Sequence, residues 1–494
     1  MSKQNITRNF LDTPSFWREY PDRDIEFVRW YPCDVKLLSP EQVFRKREAS
    51  PQDVSFYMHI PFCNQVCTSC PYNKFNTRNT LVERYLEALK SEIRTYAKTA
   101  YLQGAKLSSG YIGGGTPTTL RAHELDELLT VLKDNFEFTD RCSITIESTP
   151  VDIDERKTEV LLKHGIDRIS MGVQTFHDPL LRYLGRARTH TGDKAKQTIE
   201  MLHRMGIENI CIDYMIGIPG QTMKLWEEDV QTLMQLPVNS FSVYNYLVLP
   251  GSEAFFQIQS SVTPPCPSSQ AADQMYWHFL EQVLSNGYVA VTYNDFGGPM
   301  NKEWEELGVK TYPIVEGKNY QGLDTSTFYL TDHLSHVWYE CGDMMAMGSG
   351  GYGFLNNHMY LNEPNINRYV ELANAGQLPI TMGAYADEYE RRCRSLVLGL
   401  KLLRVKREDY KRAHGVDLYD VFKDKIDDLI EKDLVTLTPE ALQVNYKKGW
   451  FYIDNICKTF YSEANYRLPQ PSPASTEILK WQVKQPAMGS VTYA

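Results

Sequence analysis

The sequence predicts an α/β protein: a parallel sheet with helices packed outside it. Three observations carry this reading. Short apolar runs alternate with longer amphipathic stretches from residue 54 to about residue 292. Helical crossovers between consecutive strands make those strands parallel. Chemistry-bearing motifs then recur just past the apolar runs, where parallel sheets gather their sites.

In chain order, the strand candidates are 54–60, 108–112, 143–147, 168–174, 210–216, 239–245 and 288–292. Helical patterns lie between them at 81–97, 122–135, 156–164, 191–205, 224–235 and 271–286. Residues 1–50 are rich in aromatics, and Trp17, Tyr20, Trp30 and Tyr31 are expected to pack on the barrel, with a lid over its mouth as the alternative. The run at 260–270 is Pro/Ser-rich and reads as a loop. Met344, Met345 and Met347 read as core filler. Residues 384–462 read as a compact helical unit, with helices at 386–402, 407–414 and 421–432 and a small hairpin at 434–437 and 442–445. The expected division is 1–50 extension, 51–300 core, 301–383 pocket and linker region, 384–462 C-terminal domain and 463–494 loose tail.

Composition narrows the function classes. The chain has 494 residues, 42% hydrophobic and 23% charged, which is ordinary for a globular protein. A net charge of −10 argues against nucleic acid or an anionic membrane as the main partner. No apolar run reaches membrane-span length, and residues 1–20 lack a signal-peptide core. Ten cysteines without an extracellular cue point to a reducing cytoplasm.

The chain is organised around Cys63-x-x-x-Cys67-x-x-Cys70, delivered by the run 54–60 and Pro61. Three thiolates on one tight loop can take three corners of a cubane iron–sulfur cluster, which ordinarily has four cysteine ligands. No fourth cysteine lies nearby, so one iron stays open to a small molecule. Structural zinc usually takes four ligands in two separated pairs, and three adjacent thiols cannot all pair as disulfides.

Tyr57-x-His59-Ile60-Pro61-Phe62-Cys63 with its two following cysteines resembles the cluster loop of the radical S-adenosylmethionine (radical SAM) superfamily. The resemblance is to the branch holding oxygen-independent coproporphyrinogen III dehydrogenase, its heme-chaperone relatives and the class C methyltransferases. It implies an open (βα)6 partial barrel, a winged-helix-like C-terminal domain, a [4Fe-4S] cluster on Cys63, Cys67 and Cys70, and SAM, with two molecules expected. Gly113-Gly114-Gly115-Thr116-Pro117 is similar to the loop that meets the SAM amino group, and its consecutive glycines read as an edge for close ligand approach. By the same resemblance Glu147 meets a SAM amino or hydroxyl group. Arg186 suits the SAM carboxylate. Gln174 and Asp213 line the adenosine or a second SAM, Ile216 cradles adenine, and Tyr57 stands near SAM as a catalytic candidate. Arg188 and His190 read as surface or loop residues.

The dehydrogenase carries a further cysteine where this chain has Tyr72, and 293–299 and 301–345 also differ from it. The expected activity is therefore methyl or methylene transfer from SAM to an sp2 carbon of a planar substrate, a tetrapyrrole or a natural product. Oxidative decarboxylation of a porphyrinogen is the alternative, and a heme chaperone without turnover the second, with His59, His190 and His358 as candidate ligands. A small-molecule substrate and an electron donor such as flavodoxin or ferredoxin are the implied partners.

Overall fold

The computed structural model describes residues 30–45, 51–70, 74–76, 79–186, 190–207, 209–246, 248, 252–286, 288–298, 311–313, 327–329, 332–446 and 448–466. Trp17, Tyr20, Tyr72, Arg188, most of 301–345 and the tail beyond 466 lie outside them.

Six parallel strands form the centre, side by side in chain order. They are β1 (Asp53–Ile60), β2 (Lys106–Gly114), β3 (Glu137–Ser148), β4 (Arg168–Gln174), β5 (Asn209–Ile216) and β6 (Ser240–Asn245). Strand β7 (Met344–Met347) pairs parallel with the other edge of β1 and is wholly buried. Antiparallel β8 (Tyr352–Leu355), β9 (His358–Asn362) and β10 (Ile380–Tyr385) continue from it. At the far end β6 pairs antiparallel with Asp295–Gly297, so the sheet is open, not a closed barrel.

Four of the helices begin with a side chain that satisfies a free helix N–H. Asp154, Thr191, Thr222 and Ser268 accept from Lys157, Lys194, Leu225 and Ala271 respectively. Every residue of β4 is buried, as expected of a strand covered on both faces. The run at 288–292 departs from expectation. It contributes only Val289–Ala290, antiparallel, because no crossover helix separates it from Asp295–Gly297.

A buried network fixes the end of β7 beside β1. Glu92 accepts from Gly348 N–H and Asn362 Nδ2, each at 2.8 Å, and from the Tyr369 hydroxyl at 2.5 Å. Burial pushes its carboxyl up to about 7. The Tyr85 hydroxyl donates to the His59 carbonyl at 2.6 Å and accepts from Ser349 N–H.

The C-terminal unit packs helices Glu388–Gly399, Arg407–His414 and Leu418–Glu431 with a three-stranded antiparallel sheet. That sheet orders Arg404–Lys406, Ala441–Val444, Val435–Leu437, a winged-helix-like arrangement. Tyr31 is buried and its hydroxyl donates to Glu390 of this unit, while Trp30 packs on Tyr352. Among the described residues no helix is long and apolar enough to cross a membrane.

Candidate active site

The cysteine loop leaves the C-terminal end of β1 and is clamped by the loops that follow other strands. Asn64 Nδ2 donates to Asp152 Oδ1, after β3, at 2.5 Å, and Thr149 donates to the same carboxylate. Gln65 donates to the Gly185 carbonyl and Thr68 N–H to the Leu184 carbonyl, both after β4. Ala254 N–H, after β6, donates to the Thr68 carbonyl at 3.2 Å. Gly185 has φ of 74°, and an added Cβ would come within 3.1 Å of Thr68.

Cys63 is buried, and the Thr116 hydroxyl lies 3.7 Å from its sulfur as a donor. Burial pushes its thiol up to about 12, with Cys70 and Cys67 near enough to add to the rise. Among the described residues, no three His, Cys, Asp or Glu side chains converge as on a single ion. A cubane spreads its thiolates over separate irons, so this donor set fits a cluster better than one zinc. A cluster-bound thiolate is deprotonated by its metal, which reverses the upward push on Cys63.

Beside the loop, strand ends bring most of the predicted residues together. The Tyr57 hydroxyl lies 2.8 Å from His59 Nδ1, and its ring stacks on Tyr111. The Tyr111 hydroxyl and Gly114 N–H each donate to Glu147 at 2.9 Å. Burial, then repulsion from Asp213, pushes the Glu147 carboxyl up to about 7 despite those two donors. Burial likewise pushes Asp213 up to about 6, although Arg168 and the Ser170 hydroxyl, 3.2 Å away, favour its charged form. Arg186 donates to the Gly172 carbonyl at 2.8 Å. Gln174 holds φ of 70°, and its buried Oε1 has no partner among the described residues. A side chain held left-handed at a strand end, with an unmet acceptor, is what a ligand-lining residue looks like before its ligand arrives.

Two readings are corrected, those of Ile216 and His190. The glycine edge packs against protein on the side a Cβ would occupy. A Cβ on Gly113 would meet the Glu147 carboxyl at 2.9 Å, on Gly114 the His59 ring at 2.7 Å and on Gly115 the Phe62 carbonyl at 2.6 Å. The N–H groups of 114, 115 and 116 are spent on Glu147, Ile60 and Phe62, so these three residues offer a ligand only acceptors, which suits an ammonium. Ile216 packs in the hydrophobic core, because alternation turns it away from the face of Asp213, which Met215 shares. His190 is buried, its Nε2 on the Val173 carbonyl at 3.1 Å. His358 is held by the Asn356 carbonyl in the β8–β9 turn.

Sequence reasoning missed Tyr111, Arg168 and His333, whose ring packs on Tyr111 at 5.7 Å. Tyr111 was within reach: it is two residues before Gly113 in β2 and so on the same face. Arg168, a cation opening the strand that ends in Gln174, was the other signal.

The radical SAM superfamily model matches residues 57–233, the span of the cysteine loop and strand ends just described. The chain is 31% identical over 287 residues to the heme chaperone HemW of Lactococcus lactis, covering 56% of this chain and 73% of that one. The chain belongs to the radical SAM superfamily, in its HemN/HemW-like branch. The oxygen-independent coproporphyrinogen III oxidase of Salmonella typhimurium is 27% identical over 82% of this chain and 85% of its own. The structure of the Escherichia coli coproporphyrinogen III oxidase HemN superposes with a TM-score of 0.71 at 24% identity, over 86% of this chain and 94% of that one, so the fold is shared. Radical SAM proteins use a [4Fe-4S] cluster and SAM, and the thiol set of this chain fits that cluster.

Asp152 is the loop's anchor. Asp152→Ala is expected to lower iron retention roughly 10–100-fold, the usual range for a supporting partner of a metal ligand. Iron and sulfide content after gel filtration checks this, with Asp152→Asn, which keeps one acceptor, retaining more.

Proposed function

We propose that this radical SAM enzyme acts on a planar, tetrapyrrole-type substrate and transfers a SAM-derived methyl or methylene group to one of its sp2 carbons. The observation that carries the reading is the gathering of Glu147, Gln174, Arg186 and Asp213 at consecutive strand ends beside the clamped cysteine loop. Bound there, the cluster and SAM supply one-electron cleavage of SAM to methionine and a 5′-deoxyadenosyl radical. The protein's work is to bind, orient and keep out water. In this reading Cys63, Cys67 and Cys70 hold the cluster, Arg186 faces the SAM carboxylate and Glu147 its ammonium. Gln174 offers its unmet acceptor to the adenosine or to a second SAM, and Asp213 joins it there. Tyr57 and Tyr111 present ring faces to a flat substrate.

A second reading, heme carriage without turnover, is favoured by the similarity to HemW proteins. Anaerobic protein with reductant, SAM and a porphyrin substrate separates the two. Deoxyadenosine with S-adenosylhomocysteine, and label passing from the SAM methyl into product, is the expected result. Deoxyadenosine without label transfer indicates oxidative decarboxylation instead. Tight heme binding with neither SAM product indicates a carrier.

A further inference from the structure

Tyr57 lies on β1, just before the cysteine loop, and is half-buried. Its hydroxyl is 2.8 Å from His59 Nδ1. The His59 ring is buried, and an added Cβ on Gly114 would meet it at 2.7 Å, so the imidazole is held in place. Tyr57 pairs with Tyr111 across β1 and β2, which puts both rings on one face of the sheet. The Tyr111 hydroxyl reaches Glu147, so that face carries the candidate active site.

The rings continue as a row. Tyr111 stands 6.2 Å from Tyr57, Tyr57 5.8 Å from Tyr352, and Tyr352 5.3 Å from Trp30, centre to centre. Packing alone accounts for such spacings. It does not account for an imidazole nitrogen set on the phenol of Tyr57. A ring nitrogen that donates to the phenol oxygen keeps that bond after the hydroxyl hydrogen has left, because a tyrosyl oxygen still accepts. A phenol O–H bond is also weaker than an aliphatic C–H bond, so a carbon radical beside it takes its hydrogen.

We propose that Tyr57 is redox-active: it traps carbon radicals that form in the active site with no substrate to receive them. The inference rests on the radical function proposed above. In the trapping step the Tyr57 O–H bond breaks and a C–H bond forms on the radical. A neutral tyrosyl radical remains, its oxygen held by His59 Nδ1–H. One electron from a donor of the flavodoxin or ferredoxin class, with one proton, restores the phenol. Tyr352 and Trp30 supply the path for that electron, from the segment at residue 30 inward.

Cluster-loaded protein is mixed anaerobically with SAM and reductant in heavy water, with no other substrate, and the deoxyadenosine is analysed by mass spectrometry. The phenol hydrogen exchanges with solvent, so native protein is expected to give deoxyadenosine carrying one solvent deuterium. Tyr57→Phe keeps the ring and is expected to give deoxyadenosine without it. Freeze-quenched samples are expected to show a neutral tyrosyl radical by electron paramagnetic resonance, absent from the variant. Unlabelled deoxyadenosine from native protein, or equal labelling from the variant, overturns the trap and leaves the radical function standing. No deoxyadenosine from native protein overturns both. Should Tyr57→Phe fail to fold or make no deoxyadenosine, a fluorinated tyrosine placed at position 57 decides. Fluorine splitting of the trapped radical supports the trap, and its absence overturns it.

Discussion

Cys67→Ala protein is expected to purify colourless under anaerobic conditions, with iron and sulfide at background and no deoxyadenosine from SAM and reductant. Cys63→Ala and Cys70→Ala are expected to match it. The reason is geometric as well as chemical. The three cysteines share a loop that hydrogen bonds from Asn64, Gln65 and Thr68 fasten to the turns after β3 and β4. Four other cysteines are placed away from the loop: Cys142 sits on β3 well before its C-terminal end, Cys211 faces Ser242 within the sheet, and Cys393 and Cys457 are buried in the C-terminal unit. Cys211→Ala is the control and is expected to keep its cluster, because its thiol is a small buried group against a serine hydroxyl. A cluster that survives loss of Cys67 would overturn the ligand assignment.

What the sequence made legible follows physical lines. The bounds of β4 were read to the residue, because its buried Ile169, Met171 and Val173 stand between a turn at Gly165 and the polar Gln174-Thr175. The run at 288–292 looked equally strand-like, yet it pairs antiparallel, since an apolar run carries no record of its direction. The central strand β7 was read only as core filler, because Met344-Met345-Ala346-Met347 lacks the β-branched residues that mark strands. At the site, a single residue of register separated Ile216 from Met215, and alternation makes that the difference between the core and the face of Asp213. The glycine motif announced close approach but could not name the neighbour. That neighbour is the His59 ring, the Glu147 carboxyl and the Phe62 main chain. His333 packs against Tyr111 from more than two hundred residues away, and no local pattern encodes such a contact.

Glu147 yields the second large effect, and it comes as a trade between stability and binding. Its carboxyl is pushed from an ordinary 4.5 up to about 7, first by burial and then by Asp213. A carboxyl raised on folding costs nothing below its unfolded value. The cost grows as pH climbs from about 4.5 and is complete above about 7. At pH 8 this amounts to something on the order of 3 kcal/mol, at about 1.4 kcal/mol per pH unit of displacement. Glu147→Gln removes the charge and keeps the shape. The variant is expected to melt higher than the native protein at pH 8 and at a similar temperature at pH 5, measured by thermal unfolding across that range. Binding should move the other way. The proposed partner of Glu147 is the SAM ammonium, which attracts the carboxylate and not the neutral acid. SAM affinity in the cluster-loaded protein is therefore expected to rise a few-fold, by roughly a factor of five, from pH 6 to about pH 7.5 as Glu147 ionises near 7, before an α-ammonium itself begins to lose its proton. In Glu147→Gln it should be weaker and lack that step. A variant that binds SAM as tightly as the native protein at pH 8 would remove Glu147 from the SAM site. Gain of stability with loss of binding would instead mark it as a residue held in an unfavourable place for its function.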